Sequence, residues 1–294
     1  MNETIVTEDS RQPSEPTGLL SRLSALVGLD YVSDDYVAFR IDLADAQLEA
    51  LEKLRKSPVA NQSPSKTPIE KATIDRTVLA SYFQAIRDAA EKRGQQNDDL
   101  RVIAEALLKD VFLLEDLVQR GVFARDTAFL AASASALGVQ DDTLSFVAHT
   151  LASPFATSFI DAGGVNTARD DPSLFGSCPK CGSPPALAFL RKDDGKRILL
   201  CSLCGDGWEF PRLVCPFCGN DDSEHLRVLF TDKENPRWVE SCLKCQRYLK
   251  SFDGRRFPEG DAFSPYFEET ATLYLDLLAE KEGFIRKLPL TAAK

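Results

Sequence analysis

Histidine is almost missing from this chain: there are two in 294 residues, His149 and His225, and they lie far apart. A triad built on an imidazole base, or a histidine-rich metal site, has little here to be made from. Phosphate-cradling G-x-G-x-x-G and P-loop motifs are absent, and so is the G-x-S-x-G elbow of a serine nucleophile. No nucleophile is paired with a base, so the sequence does not read as an enzyme. No apolar run approaches the roughly 18 residues that span a bilayer, and membrane insertion is not expected. The opening residues MNETIVTEDSRQPSEP lack the basic start and apolar centre of a secretory signal. They read as a disordered polar tail over 1–16, and the expected location is the cytoplasm.

Positive charge is also in short supply. Lys and Arg number 35 against 45 Asp and Glu, a net charge of −10. The imbalance is uneven: residues 178–260 carry 14 basic and 12 acidic side chains, and the remainder carries 21 and 33. An acidic surface repels phosphate backbones, so nucleic acid is not an expected partner. Arg247, Lys250, Arg255 and Arg256 form only a small basic cluster.

Cysteine is confined to one pattern. All eight lie in four C-x-x-C pairs: Cys178/Cys181, Cys201/Cys204, Cys215/Cys218 and Cys242/Cys245. In a cytosolic chain such pairs are metal ligands more often than disulfides, and two pairs make one tetrathiolate site. The separations decide the pairing. Nineteen residues lie between Cys181 and Cys201, 23 between Cys218 and Cys242, and only ten between Cys204 and Cys215. The two longer spans each hold one hairpin that returns the chain to its start. The expected sites are Cys178/Cys181/Cys201/Cys204 and Cys215/Cys218/Cys242/Cys245, holding two metal ions. Tetrahedral sulfur suits zinc or the iron of a rubredoxin-like site. A ribbon of this size has too little core to fold alone, which makes the metal a structural staple. Glycine after the second cysteine permits the positive φ of the knuckle turn; Gly182, Gly205 and Gly219 occupy that place, and Gln246 is the exception.

Around the cysteines the chain reads as α+β. From about Gly18 to Ile160 apolar residues recur at helical spacing. Val37, Ile41, Ala44, Leu48 and Leu51 make one stripe, with Ser33 or Asp35 as its cap. Ile103, Leu107, Val111, Leu114 and Val118 make another, with Gly121 as its stop. Segments 76–93, 122–137 and 142–156 repeat the theme. Pro58–Pro68 reads as a loop and Ala162–Asp171 as a linker. Beyond Cys178 the pattern changes to short strands, in an order of knuckle, hairpin, knuckle and strand that occurs twice. Asp194-Gly195 and Asp253-Gly254 are its turns, and Trp208–Val214 is a candidate third strand. Trp208 and Tyr248 hold similar places after a knuckle and read as ribbon core. Thr270–Glu282 is helical, with Leu273, Leu277 and Leu278 on one side. The expected organisation is a tail over 1–16, a helical domain over 17–165, tandem rubredoxin-like or zinc-ribbon modules over 174–214 and 215–260, and a C-terminal helix and tail over 265–294.

The segments SCPKCGSPP, LLCSLCGDGWEFPRLVCPFCGN, VESCLKCQRYLKSFD and TATLYLDLLAEKEGF resemble the formate dehydrogenase accessory protein FdhE family. The resemblance covers about 174–286 well and the helical half loosely. It implies a cytoplasmic assembly factor for respiratory formate dehydrogenase that contacts the catalytic subunit before export. It also implies two rubredoxin-like sites at the eight cysteines. One departure is Glu268-Glu269, where the resemblance implies Asp-Asp; Asp276 matches. Two rival readings are a ribbon-type nucleic-acid-binding protein and a rubredoxin-like electron carrier. The first calls for a basic, aromatic ribbon face, and the second for a reversible colour change.

Overall fold

Ser33 caps the first long helix. Its hydroxyl accepts from the Tyr36 N–H at 3.1 Å, and Asp34 and Asp35 follow in the first turn, where negative charge suits the helix dipole. The computed structural model describes residues 18–58, 68–92, 98–164, 175–233, 235–257 and 263–286. The tail over 1–16, most of the Pro58–Pro68 loop and the linker beyond Gly164 lie outside them. The chain divides into two compact units, a helical one drawn mainly from 23–167 and a cysteine-bearing one drawn mainly from 168–286.

After α1 (Leu19–Ser24), the helical unit contains α2 (Asp34–Lys56), α3 (Arg76–Lys92), α4 (Asp98–Lys109), α5 (Val111–Asp116), a π-helical stretch (Leu117–Phe123), α6 (Thr127–Leu137) and α7 (Asp141–Asp161). Helix α2 packs on α3 and α7. It buries Val37, Leu43, Ala44, Ala46, Ala50 and Leu54, whereas Leu48 of the expected stripe is exposed. The packed face is rotated toward the alanines, whose small side chains let neighbouring helices approach closely. Pro154 sits inside α7 and cannot donate to the Thr150 carbonyl. The Tyr82 hydroxyl, from α3, donates to that carbonyl at 3.4 Å. The stripe from Ile103 to Val118 is broken at Asp110 and continues into the π-helical stretch. Gly121 is therefore not its stop. It is buried under Leu130, where an added β-carbon would come within 2.6 Å of a side-chain carbon.

The cysteine-bearing unit is organised by one sheet. Its strands are β1 (Pro185–Leu190), β2 (Arg197–Cys201), β3 (Gly207–Glu209), β4 (Leu226–Leu229), β5 (Arg237–Cys242) and β6 (Arg247–Asp253). Their order is β3-β2-β1-β6-β5-β4. Each repeat contributes three antiparallel strands, and the repeats join through β1 and β6, which run parallel with Leu187 opposite Lys250 and Leu190 opposite Asp253. The two ribbons thus form one continuous sheet. Strand β3 is shorter than the sequence pattern suggested, because the chain leaves the sheet at Phe210 toward the next knuckle.

The C-terminal segment forms two helices, α8 (Pro265–Ala271) and α9 (Leu273–Lys281), broken at Thr272. Leu275 and Ala279 of α9 pack with Val239 and Tyr248. Leu277 is exposed, so the helix faces the sheet with a different side from the one its leucines suggested. Phe257 and Phe263 pack with Leu187, Ile198, Leu200 and Phe252. On the other face, Ala188, Leu199 and Leu249 form a smaller core with Trp208, Phe210 and Phe217.

Candidate metal centres

Each knuckle is a tight turn whose backbone is tied to its own cysteines. In the first, Cys178 N–H donates to Ser183 O at 2.8 Å and Gly182 N–H to Cys178 O at 2.8 Å; in the third, Cys215 N–H donates to Asn220 O at 2.8 Å and Gly219 N–H to Cys215 O at 3.0 Å. The identical bonding is the duplication expressed in the backbone. Lys180 N–H points at Cys178 Sγ at 3.4 Å, and the Leu203 and Cys204 N–H groups point at Cys201 Sγ at 3.3 and 3.4 Å. Such donors offset thiolate charge.

The residue after each second cysteine has positive φ: 75° at Gly182, 72° at Gly205, 73° at Gly219 and 58° at Gln246. The knuckle thus imposes a left-handed backbone even where the sequence supplies a side chain. Gly182→Ala is expected to lower stability by about 1–2 kcal/mol. Gln246→Gly removes the same strain and should not destabilise. Thermal melts of the metal-loaded variants check both; a Gly182→Ala variant as stable as the parent together with a destabilised Gln246→Gly variant would reject the strain argument.

The sulfurs gather in the two groups that the chain separations suggested, Cys178/Cys181/Cys201/Cys204 and Cys215/Cys218/Cys242/Cys245, each within 4.8 Å. Cys178 and Cys204 lie 3.8 Å apart, Cys181 and Cys201 3.3 Å, Cys215 and Cys245 3.7 Å, and Cys218 and Cys242 3.7 Å. Four sulfurs about 2.3 Å from one ion, at tetrahedral angles, stand about 3.8 Å apart. Both groups therefore have the dimensions and the donor chemistry of a tetrathiolate site, and each could hold one metal ion. They differ in exposure. All four cysteines of the first are buried; in the second Cys218 is exposed and Cys245 half-buried.

Left to themselves the thiols compete for protons. Contacts with Cys178, Cys201 and Cys204 hold the Cys181 thiol well below its usual range. Burial pushes Cys201 up, and the contact with Cys178 pushes Cys204 up. In the second group Cys245 raises Cys215, and burial raises Cys218. Four crowded thiols cannot all ionise against one another. A divalent cation reverses that order by stabilising every thiolate at once.

His225 Nδ1 lies 2.8 Å from Asp222 Oδ2. Neither it nor His149 belongs to a metal-sized group among the described residues. Tyr248 is buried and Trp208 half-buried. On the helix-bearing face of the sheet, Lys250 is fully buried and meets Asp276 Oδ2 at 2.8 Å. Tyr248 donates to Asp276 Oδ1 at 2.8 Å, and Arg286 bonds the Glu269 carboxylate. Arg237 meets the buried Glu268 with two bonds, at 2.7 and 3.1 Å. Glu268, Glu269 and Asp276, singled out in the sequence, are thus anchored by Lys250 and by Arg237 and Arg286, which were not. Lys250 does not belong with the surface arginines it was grouped with. Only the alternation along β6 hinted at this, since Tyr248, Lys250 and Phe252 share a face.

Comparison with known proteins adds a lineage to this geometry. Residues 177–212 match the family model described as FdhE, central domain. A protein FdhE homolog from Aquifex aeolicus is 32% identical over 51% of this chain and 52% of its own length. One from Pseudomonas aeruginosa is 34% identical over 38% of each. The chain spans about half, or less, of these two relatives. One from Haemophilus influenzae aligns over 86% of this chain and 80% of its own length, at 26% identity. The chain is similar to FdhE proteins, in part of its length at about a third identity and over most of it at about a quarter. The crystal structure of the FdhE protein from Pseudomonas aeruginosa covers 96% of this chain and 97% of its own, with a TM-score of 0.56 and 22% identity. That likeness concerns the fold. This chain thus has a helical N-terminal region, a sheet region with two four-cysteine groups, and C-terminal helices, in a fold like that of the crystal structure.

Proposed function

We propose that this chain is a cytoplasmic accessory protein for the assembly of respiratory formate dehydrogenase. It binds the enzyme's catalytic subunit and has no catalytic machinery of its own. Cys178, Cys181, Cys201 and Cys204 ligate one ion, and Cys215, Cys218, Cys242 and Cys245 a second; the ions are zinc, or iron in rubredoxin-type sites. The observation that carries the reading is the pair of four-cysteine groups within one sheet of an FdhE-type fold. Metal keeps the knuckles rigid, so the surface offered to a client depends on it. Among the described residues no helix is long and apolar enough to cross a membrane.

A deletion strain tests the role. Respiratory formate dehydrogenase activity is expected to fall to background while the enzyme's polypeptides persist. Paired cysteine-to-serine changes at either site should reproduce part of that loss, and the catalytic subunit should co-purify with the metal-loaded protein. Full activity in the deletion strain rejects the assembly role. A metal-free variant that binds the subunit as tightly as the wild type makes the sites remote staples and rejects their part in binding.

A further inference from the structure

The face of the sheet turned away from α8 and α9 carries a groove of about 400 Å³ beside the second cysteine group. Seven basic side chains and two carboxylates line it, in a chain whose net charge is −10. The carboxylates are already engaged: Glu240 with Arg197 at 2.5 Å and Asp253 with Arg255 at 2.8 Å. Among the described residues Arg212, Arg227, Lys233 and Arg247 have no carboxylate partner. Arg227 bonds only main-chain carbonyls, and Arg247 stands 5.6 Å over the Phe217 ring. Arg197, also in the lining and 3% exposed, keeps a buried Nε with no hydrogen-bond partner. Apolar surface alternates with this charge. Leu213 is 68% exposed and Val228 50%.

The groove ends at a free strand edge. Among the described residues strand β4 pairs with β5 on one side only, Val228 lying opposite Glu240. Its counterpart in the first repeat, β1, has its second edge filled by β6, in parallel. The repeats are laid side by side in the same sense, so the edge that β6 fills on β1 is left open on β4. Open edges bind extended chains, main chain to main chain, while alternate side chains are read by whatever lies beside the edge. Here that is a basic and apolar groove.

We propose that β4 and this groove bind an extended acidic–apolar polypeptide segment of a partner protein, added to the sheet parallel to β4 as β6 is added to β1. Its carboxylates meet Arg212 and Arg247, and its apolar side chains cover Leu213 and Val228. The inference rests on the residues of this unit and holds whether or not the partner is a formate dehydrogenase.

Fluorescence anisotropy on the full-length, metal-loaded protein tests it. The probe is a short fluorescein-labelled peptide alternating glutamate with valine. Binding is expected to weaken as salt rises and to fall about tenfold in Arg212→Glu/Arg247→Glu. Circular dichroism and metal content confirm that the variant is folded. A peptide with every backbone amide N-methylated keeps every charge and side chain but has no N–H to pair with an edge on either side, and its binding should be lost. A lysine–valine peptide should not bind. Equal binding of the N-methylated peptide overturns strand addition. Binding unchanged in the double variant overturns the groove. An oligothymidylate that binds more tightly than the acidic peptide overturns the choice of a polypeptide.

Discussion

Metal removal is expected to dismantle the six-stranded sheet, beginning at its second centre. The order follows from exposure. A chelator can reach Cys218, which is exposed, and Cys245, which is half-buried, whereas all four cysteines of the first centre are enclosed. The consequence follows from connectivity. Strand β5 ends on Cys242, and β6 starts two residues after Cys245. Both strands are therefore hung on the second centre. Strand β6 is in turn the parallel neighbour of β1, whose other neighbour, β2, ends on Cys201 of the first centre. The two ribbons consequently do not melt as independent staples. Structural zinc contributes about 10–16 kcal/mol to small zinc-dependent folds, against a net stability of about 5–15 kcal/mol for a whole domain. Neither centre is dispensable on that scale. Native mass spectrometry during titration with a chelator should pass from two ions to one to none. Hydrogen exchange should lose protection over Leu187–Leu190 and Leu249–Phe252 once the first ion has gone. The paired variant Cys242→Ser/Cys245→Ser should show the same loss without chelator. Protection that survives the departure of both ions would show that the sheet stands on its apolar contacts, and the staple argument would fail.

Much of this was legible in the residues because the relevant chemistry is local. A C-x-x-C turn needs a left-handed residue after it, so Gly182, Gly205 and Gly219 announced the knuckles, and Gln246 at φ 58° shows that the rule belongs to the backbone. The pairing of knuckles was a matter of chain length, because one hairpin bridges each long span. What could not be read is what depends on distant neighbours. Nothing in Leu187–Leu190 or Lys250–Asp253 marks them as parallel partners, yet that junction joins the ribbons. Helical phase was only approximate. Leu48 and Leu277 fit an apolar period but face solvent, because Ala46, Ala50, Leu275 and Ala279 allow closer packing. The arginines of the groove lie on several segments, and only the sheet order gathers them. A composition near charge balance over 178–260 hid how those charges are placed: Arg212 and Arg247 line the groove without a carboxylate among the described residues, while Lys250, on the other face, is buried against Asp276.

Replacing Asp276 with alanine is expected to be among the most damaging single changes outside the cysteines. The Lys250 ammonium is fully buried, and its closest carboxylate is Asp276, at 2.8 Å; the remaining contacts are the Glu269 carbonyl at 3.1 Å and its carboxylate at 3.4 Å. Alanine leaves that ammonium, the Tyr248 hydroxyl and one contact of Arg286 without their shared acceptor. Removing one partner from a buried ion pair costs about 3–5 kcal/mol, or roughly 6–20 °C in Tm for a unit of this size. Lys250→Met should cost less, because Asp276 keeps donors from Tyr248 and Arg286. The double variant Lys250→Met/Asp276→Leu should recover much of the loss, because no uncompensated lysine charge then remains. Alkali probes the same cluster. Burial, and then the charge of Asp276, hold the Tyr248 phenol protonated far above its ordinary range. The folded state favours the neutral phenol, whereas the unfolded chain ionises near pH 10. This contribution is complete below that pH and declines as pH rises past it. Tyr248→Phe should flatten the decline at a cost of about 1 kcal/mol at neutral pH. Urea melts of the metal-loaded variants at pH 7 and in mild alkali decide the matter. If Asp276→Ala and Lys250→Met cost the same, and the double variant costs their sum, the two residues are uncoupled and the buried pair does not hold α9 to the sheet.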